Sequence, residues 1–262
     1  MKKRPLKIAI LISGGGTTME SILKAGFYGE LKNMIDPALI ISSRPNAGGI
    51  EKARKLGIAA KNIAIVRFNK NLIASFSQKL LRILKKFDID LISQNGWLPL
   101  TPESIIKEYH GRIINQHPGP LDPGRGYDFG GKYMYGLRVI CARLAYAWLT
   151  GSDFWTEATT HLVTRSFDEG DLLSTIRLQF EPVPHAMRLS ELTQERKKLK
   201  ELTQIIQQKL LPLEHQNVII TLKKFYQKKI NGYRRAKALV PKENYEVLKQ
   251  AKELAVQLFP DG

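Results

Sequence analysis

Cysteine is almost absent from this chain. Cys141 stands alone among 262 residues, so no disulfide can form within the chain and no thiolate cluster can hold a metal. Its setting, Arg138-Val139-Ile140-Cys141-Ala142-Arg143-Leu144, has helical spacing and makes it a small buried residue. Histidine is scarce too. His110, His117, His161, His185 and His215 lack the spacing of a zinc site, and no metal is expected. No run approaches the ~20 consecutive apolar residues of a spanning helix, which argues against a membrane protein. The basic start, Met1-Lys2-Lys3-Arg4-Pro5, leads into an apolar stretch that meets Ser13-Gly14-Gly15-Gly16 too soon for a signal peptide. A cytoplasmic protein is the expectation. Internal repeats and low-complexity linkers are also missing.

Positive charge, by contrast, is abundant. With 41 Lys and Arg against 24 Asp and Glu, the net charge is +17. Such an excess suits nucleic acid, because bound phosphates release counterions. It suits small anions equally well, nucleotides and polyglutamate tails among them, so nucleic acid stays a possible but not a favoured partner. A hydrophobic content of 43% allows a real core for one large α/β domain, or a domain with a smaller appendage.

Along the chain, short apolar runs alternate with amphipathic stretches. Lys7 to Ile12 reads as a strand buried on both faces. Gly14, Gly15 and Gly16 follow, then Thr17, Thr18 and a helix, with Thr17 and Glu20 spaced as a capping box. A glycine turn at a helix start can present N–H groups to a phosphate, although the pattern is neither of the usual nucleotide fingerprints. A plain strand-to-helix turn is the other reading. Strands at 38–43, 63–66 and 89–93, with helices at 49–56, 73–86 and 102–110, complete a βαβ rhythm. That rhythm predicts a doubly wound, mostly parallel sheet. Helix is expected from Tyr135 to Leu149 with Arg138 and Arg143 outward, and an edge hairpin from Trp155–Val163 and Leu172–Leu178. Long basic helices follow from Leu189, and a last amphipathic helix spans Glu243 to Phe259.

The most informative stretch is Ile113-Ile114-Asn115-Gln116-His117-Pro118-Gly119-Pro120. An apolar strand ends here in an amide, an imidazole and a forced turn. In open α/β sheets ligands sit just beyond the carboxyl ends of strands. Asn115 and His117 are two apart, so in extended geometry they leave one face. Either they meet a small reacting group, or they cap a strand end with a hydrogen-bonded histidine. The glycine-rich loop Gly124 to Lys132 beside them reads as a lid with Arg125 and Lys132 as anion contacts, or as plain connection. Seven basic residues and no acid lie between Lys223 and Lys237, the mark of a solvated helical face or of a nucleic-acid contact.

Three separated pieces, Ile12-Ser13-Gly14-Gly15-Gly16-Thr17-Thr18, Asn115-Gln116-His117-Pro118 and His161-Leu162-Val163-Thr164-Arg165-Ser166-Phe167-Asp168-Glu169-Gly170, occur in an order that resembles the folate-dependent formyltransferases. The Ser-Gly-x-Gly loop favours the branch that acts on glycinamide ribonucleotide. The resemblance implies a Rossmann-like formyltransferase domain over residues 1–222 and a basic helical C-terminal extension over 223–262. It implies formyl transfer from 10-formyltetrahydrofolate to glycinamide ribonucleotide in purine biosynthesis, with small-molecule substrates and no metal. By the same resemblance Asn115, His117 and Asp168 are catalytic. Gly14, Gly15, Gly16, Thr17 and Thr18 hold the substrate phosphate, and Glu214 its ribose. Gly96, Trp97, Leu98, Leu100, Val163 and Thr164 contact the folate. Gly119-Pro120-Leu121-Asp122 departs from the family's usual Ser-Leu-Leu-Pro, and Leu98 stands where close relatives carry arginine. Formylation of another amine, on methionyl-tRNA or a nucleotide sugar, and a non-catalytic folate or nucleotide binder remain the alternatives. The oligomeric state is left open.

Overall fold

The apolar runs form strands and the amphipathic stretches form helices in the computed structural model, which describes residues 3–262. Met1 and Lys2, part of the basic start, lie outside the described residues. In chain order the elements are β1 (Leu6–Ile12), α1 (Thr17–Phe27), β2 (Ile35–Ser42), α2 (Gly48–Lys55), β3 (Ile63–Ile65), α3 (Ile73–Lys86), β4 (Leu91–Gln94), α4 (Glu103–Glu108) and β5 (Ile113–His117). They continue with α5 (Leu137–Thr150), β6 (Trp155–Leu162), β7 (Leu172–Gln179), α6 (Leu189–Gln194), α7 (Arg196–Gln227) and α8 (Tyr245–Leu258). The strands make a seven-stranded sheet in the order β3-β2-β1-β4-β5-β6-β7. It is mostly parallel, with β6 and β7 antiparallel. Among the described residues no helix is long and apolar enough to cross a membrane.

The chain divides into two compact units. One holds the residues up to Gln116, with Leu162–Ser166 and Val218–Asn231; the other holds His117–His161, Phe167–Asn217 and Gly232–Gly262.

In the first unit β1 is central. Ile8 to Ile12 are buried, as a strand covered on both faces requires. β1 pairs with β2 on one side and β4 on the other, so Ile10 lies opposite both Ile40 and Ser93. Strand order reverses at this point, and the loops after β1 and β4 flank the resulting crevice. Ser13 ties them together: its Oγ accepts the Leu98 N–H at 3.0 Å and the Ser43 hydroxyl at 2.7 Å. Helix α3 turns Phe76, Leu80 and Leu84 inward at four-residue intervals. Truncating either leucine to alanine would cost about 2–5 kcal/mol.

The start of α1 differs from the capping box expected at Thr17 and Glu20. Gly16 is the N-cap, in the left-handed region at φ 65°, and no side chain caps the helix. A β-carbon on Gly16 would sit 2.7 Å from Gly49 Cα, so the loop closes against α2 through bare backbone. Glu20 instead pairs with Lys24 and Lys52.

In the second unit α5 and α8 share a core with α6 and the first part of α7, built from Leu144, Trp148, Leu192, Leu199, Leu210, Leu248 and Leu254. Arg138 and Arg143 are not outward as expected. Every residue of α5 from Arg138 to Trp148 is buried, so this helix has no solvent face over that length. Arg138 donates to the carbonyls of Phe259 and Pro260. The Arg143 guanidinium lies among the rings of Phe129, Tyr146 and Trp155 at 4.8–5.6 Å, where burial lowers its pKa to about 10. Cys141 is buried on the same helix, and desolvation pushes its thiol up to about 12, so it has no nucleophilic character. The β6–β7 hairpin forms as read, and Tyr233 exchanges two main-chain hydrogen bonds with Leu172, covering part of the β7 edge.

Candidate active site

Ile113 and Ile114 are buried opposite Ile92 and Ser93 of β4, and the polar residues begin at Asn115, the last paired position, opposite Gln94. Asn115 and His117 project from the same face of β5, as strand alternation demands. His117 is buried, and both ring nitrogens face acceptors within the second unit. Nε2 is 3.1 Å from the main-chain oxygen of Phe129. A carbonyl accepts only, so Nε2 carries a proton. Nδ1 is 3.7 Å from Oδ2 of Asp168, an ion-pair separation longer than a hydrogen bond. Nδ1 is therefore the nitrogen left to bind or release a proton.

Asp168 is over-determined. Its Oδ1 lies 3.5 Å from Nε2 of His161, and Oδ2 accepts the Gly131 N–H at 2.9 Å. Its backbone is left-handed at φ 58°, a conformation aspartate tolerates better than most residues. Burial alone would raise its pKa, but His117, His161 and the Gly131 N–H together hold the carboxyl well below the ordinary range. For His117 desolvation wins and lowers the imidazole pKa, while Asp168 pulls the other way. The site pairs an ionised carboxylate with a reluctant imidazolium. Asp128 lies near by, raised by burial and held by N–H bonds from Asp122 and Gly130.

The other expected site residues fall as follows. Gly14 and Gly15 are exposed, with open space where side chains would be, and the N–H groups of the first turn of α1 follow them. Thr17 and Thr18 open that helix. Gly96 has φ 70° in the turn after β4, and Leu98 and Leu100 are exposed there. Trp97 instead points into the first unit's core, stacked with Phe76 at 6.2 Å. Val163 packs on that core, and Thr164 donates to the Ser166 carbonyl at 3.3 Å. In the second unit Glu214, on α7, is a partly buried carboxyl whose pKa desolvation raises to about 8.

The partners of Arg125 lie within the protein. This arginine donates to Asp122 and to the carbonyls of Arg235 and Ala236, which pins the loop that reads as a lid. Lys132 lies over the ring of its neighbour Tyr133. Of the basic residues between Lys223 and Lys237, Lys223, Arg234 and Arg235 are in ion pairs with Glu30, Asp171 and Glu157. Among the described residues no group of three or more His, Cys, Asp or Glu side chains could hold a metal. Sequence reading missed His161 and Asp128 as site neighbours. A histidine in the buried run of β6, seven residues before Asp168, was the available signal for the first.

A family model described as "Formyl transferase" matches residues 6–206. The chain is 29% identical over 196 residues to a chloroplastic phosphoribosylglycinamide formyltransferase of Arabidopsis thaliana, covering 74% of this chain and 63% of that protein. It is 31% identical over 177 residues to the protein of that name from Vigna unguiculata, covering 65% and 50%. The chain thus spans less than two thirds of the length of these plant relatives. Among solved structures, glycinamide ribonucleotide transformylase 1 from Symbiobacterium toebii superposes with a TM-score of 0.66 at 22% identity, over 90% of this chain and 95% of that one. That likeness shows the fold, and the family match extends over most of the sequence: this chain belongs to the formyl transferase family.

Proposed function

We propose that this protein transfers the formyl group of 10-formyltetrahydrofolate to the amine of glycinamide ribonucleotide, a step of purine biosynthesis. The observation that carries the reading is the buried pair His117–Asp168 beyond Asn115 at the end of β5. The substrate amine attacks the formyl carbon, a C–N bond forms, and negative charge develops on the formyl oxygen. The Asn115 amide N–H and the Nδ1–H of protonated His117 donate to that oxygen. Asp168 stabilises the imidazolium as the oxyanion forms. The bond from the formyl carbon to N10 of the folate then breaks, and the proton lost by the amine passes by way of Asp168 and water to N10. No covalent enzyme intermediate is needed.

Supporting features lie in both units. In the first, the exposed backbone of Gly14 and Gly15 and the helix start at Thr17 suit a phosphate. The exposed Leu98 and Leu100, with Gly96, Val163 and Thr164, suit the apolar body of the folate. In the second, a desolvated Glu214 suits ribose hydroxyls, which donate to it. The test is direct. Purified protein supplied with both substrates forms formylglycinamide ribonucleotide and releases tetrahydrofolate, followed by its absorbance. Protein that binds both ligands yet forms no product overturns the proposal.

A further inference from the structure

The chemistry above gives no part to residues 121–131 or to the C-terminal residues 232–262. Both belong to the second unit, and the structure stitches them together. Buried Asp122 accepts Arg125 at 2.6 Å and the Leu239 N–H at 2.8 Å, and its own N–H donates to Asp128 at 2.7 Å. Arg235 donates to the Leu121 carbonyl at 2.7 Å and pairs with Glu157 of β6. The last stitch is Lys252 on α8. Its Nζ donates to the carbonyls of Asp128 at 2.9 Å and Gly130 at 2.8 Å.

Those two carbonyls bracket the peptide groups that touch the reactive pair. The Phe129 carbonyl, lying between them in sequence, accepts from His117 Nε2, and the Gly131 N–H donates to Asp168 Oδ2. Four consecutive residues thus divide their main-chain groups between Lys252 and the pair. The spacing is tight. A β-carbon on Gly130 would lie 2.8 Å from Asp168 Cβ and 2.6 Å from Leu121 Cδ2. A shift of this backbone would therefore be felt at the carboxylate.

We infer that Lys252 is a positioning residue for the transfer reaction: by anchoring the carbonyls of Asp128 and Gly130 it places the Phe129 carbonyl and the Gly131 N–H, and through them sets the ring of His117 and the carboxylate of Asp168. The inference rests on the reading of His117 and Asp168 as catalytic. A lysine suits the task because an ammonium offers donors only, and two carbonyls need two. Burial lowers its pKa, while the charges of Asp128 and Asp168 oppose that shift. The C-terminal segment is then part of the site's support.

The test uses the whole 262-residue chain with Lys252→Met, which keeps the apolar stem and removes both donors. Misplacement by about 1 Å can cost ~100-fold in turnover. The expected result is a kcat lower by about 10–100-fold, KM within about 3-fold, and an altered 15N signature of His117 Nε2–H. Lys249→Met, on the same helix where Lys249 is exposed beside Glu246, changes none of these. The His117 signature reads the inference without activity, so a wild-type protein inactive toward glycinamide ribonucleotide would count against the proposed function alone. A folded Lys252→Met protein with unchanged His117 nitrogen shifts, or with kcat within 2-fold of wild type, overturns the inference. Should that variant not fold, amine acylation of the wild-type protein decides: Lys252 is expected to react much more slowly than Lys249, and equal rates overturn it.

Discussion

Nε2 of His117 lies 3.1 Å from the main-chain oxygen of Phe129, and that contact decides which side of the imidazole is free to act. The fixed Nε2–H leaves Nδ1, facing Asp168 at 3.7 Å, as the position that gains and loses a proton. Desolvation favours the neutral ring and Asp168 the charged one. Asp168→Asn removes the charge and keeps the shape, so the His117 pKa falls further. Histidine NMR titration checks that direction, and turnover is expected to drop by about 100–10,000-fold, the usual range for a lost acid–base partner. An unshifted His117 titration would separate the two residues electrostatically and remove Asp168 from the mechanism.

Much of this was legible in the sequence, for reasons that differ between elements. β1, β5 and α3 were visible because each carries its burial pattern locally, in unbroken apolar runs or four-residue spacing. The outward reading of Arg138 and Arg143 failed because helical periodicity assumes a solvent face, and α5 has none over residues 138–148. The capping box at Thr17 failed because the close approach of Gly16 to Gly49 set the backbone there. Asn115 and His117 stood out by residue type and spacing at a strand end, whereas Asp168 was reached only through the resemblance to the formyltransferases. The bonds from Lys252 to Asp128 and Gly130 did not, because they join positions more than 120 apart and one partner is main chain.

In the proposed reaction Asn115 supplies the second donor to the developing oxyanion. Asn115→Ala removes that donor and leaves the histidine in place, so kcat is expected to fall roughly 100–1000-fold. The KM for either substrate should change little, because the interaction is made mainly in the transition state. Steady-state kinetics on the folded variant check this. A loss confined to KM would assign Asn115 to ground-state binding.

At the first unit's glycine turn, Gly16→Ala sets a β-carbon against Gly49 Cα and imposes a left-handed conformation on alanine. The helix start must shift. Stability is expected to fall by about 1–2 kcal/mol from the conformation alone. If the turn holds the phosphate, the KM for glycinamide ribonucleotide rises at least tenfold while that for the folate stays nearly constant. Calorimetry and paired KM measurements distinguish the two effects. Equal changes in both KM values would mean that the turn shapes the fold and does not grip the phosphate.

Glu214 supplies a prediction with a defined pH window. Its folded pKa of about 8 lies above the ordinary 4.5, so between those values the folded protein holds the proton more firmly than the unfolded chain. By linkage this contribution to stability is complete below about pH 4.5 and fades as pH rises through 8. Glu214→Gln cannot ionise. The Tm of the variant relative to wild type should therefore climb between pH 5 and pH 9, in the absence of ligand. If Glu214 holds the ribose, bound ribonucleotide should reverse the ranking above about pH 8, where Glu214 is ionised, because ribose hydroxyls donate to a carboxylate more strongly than to an amide. A loss of about 1.4 kcal/mol there corresponds to tenfold weaker binding. A Tm difference that stays flat with pH would show that Glu214 titrates as an ordinary solvated carboxyl. The desolvation on which the proposed ribose contact rests would then be absent.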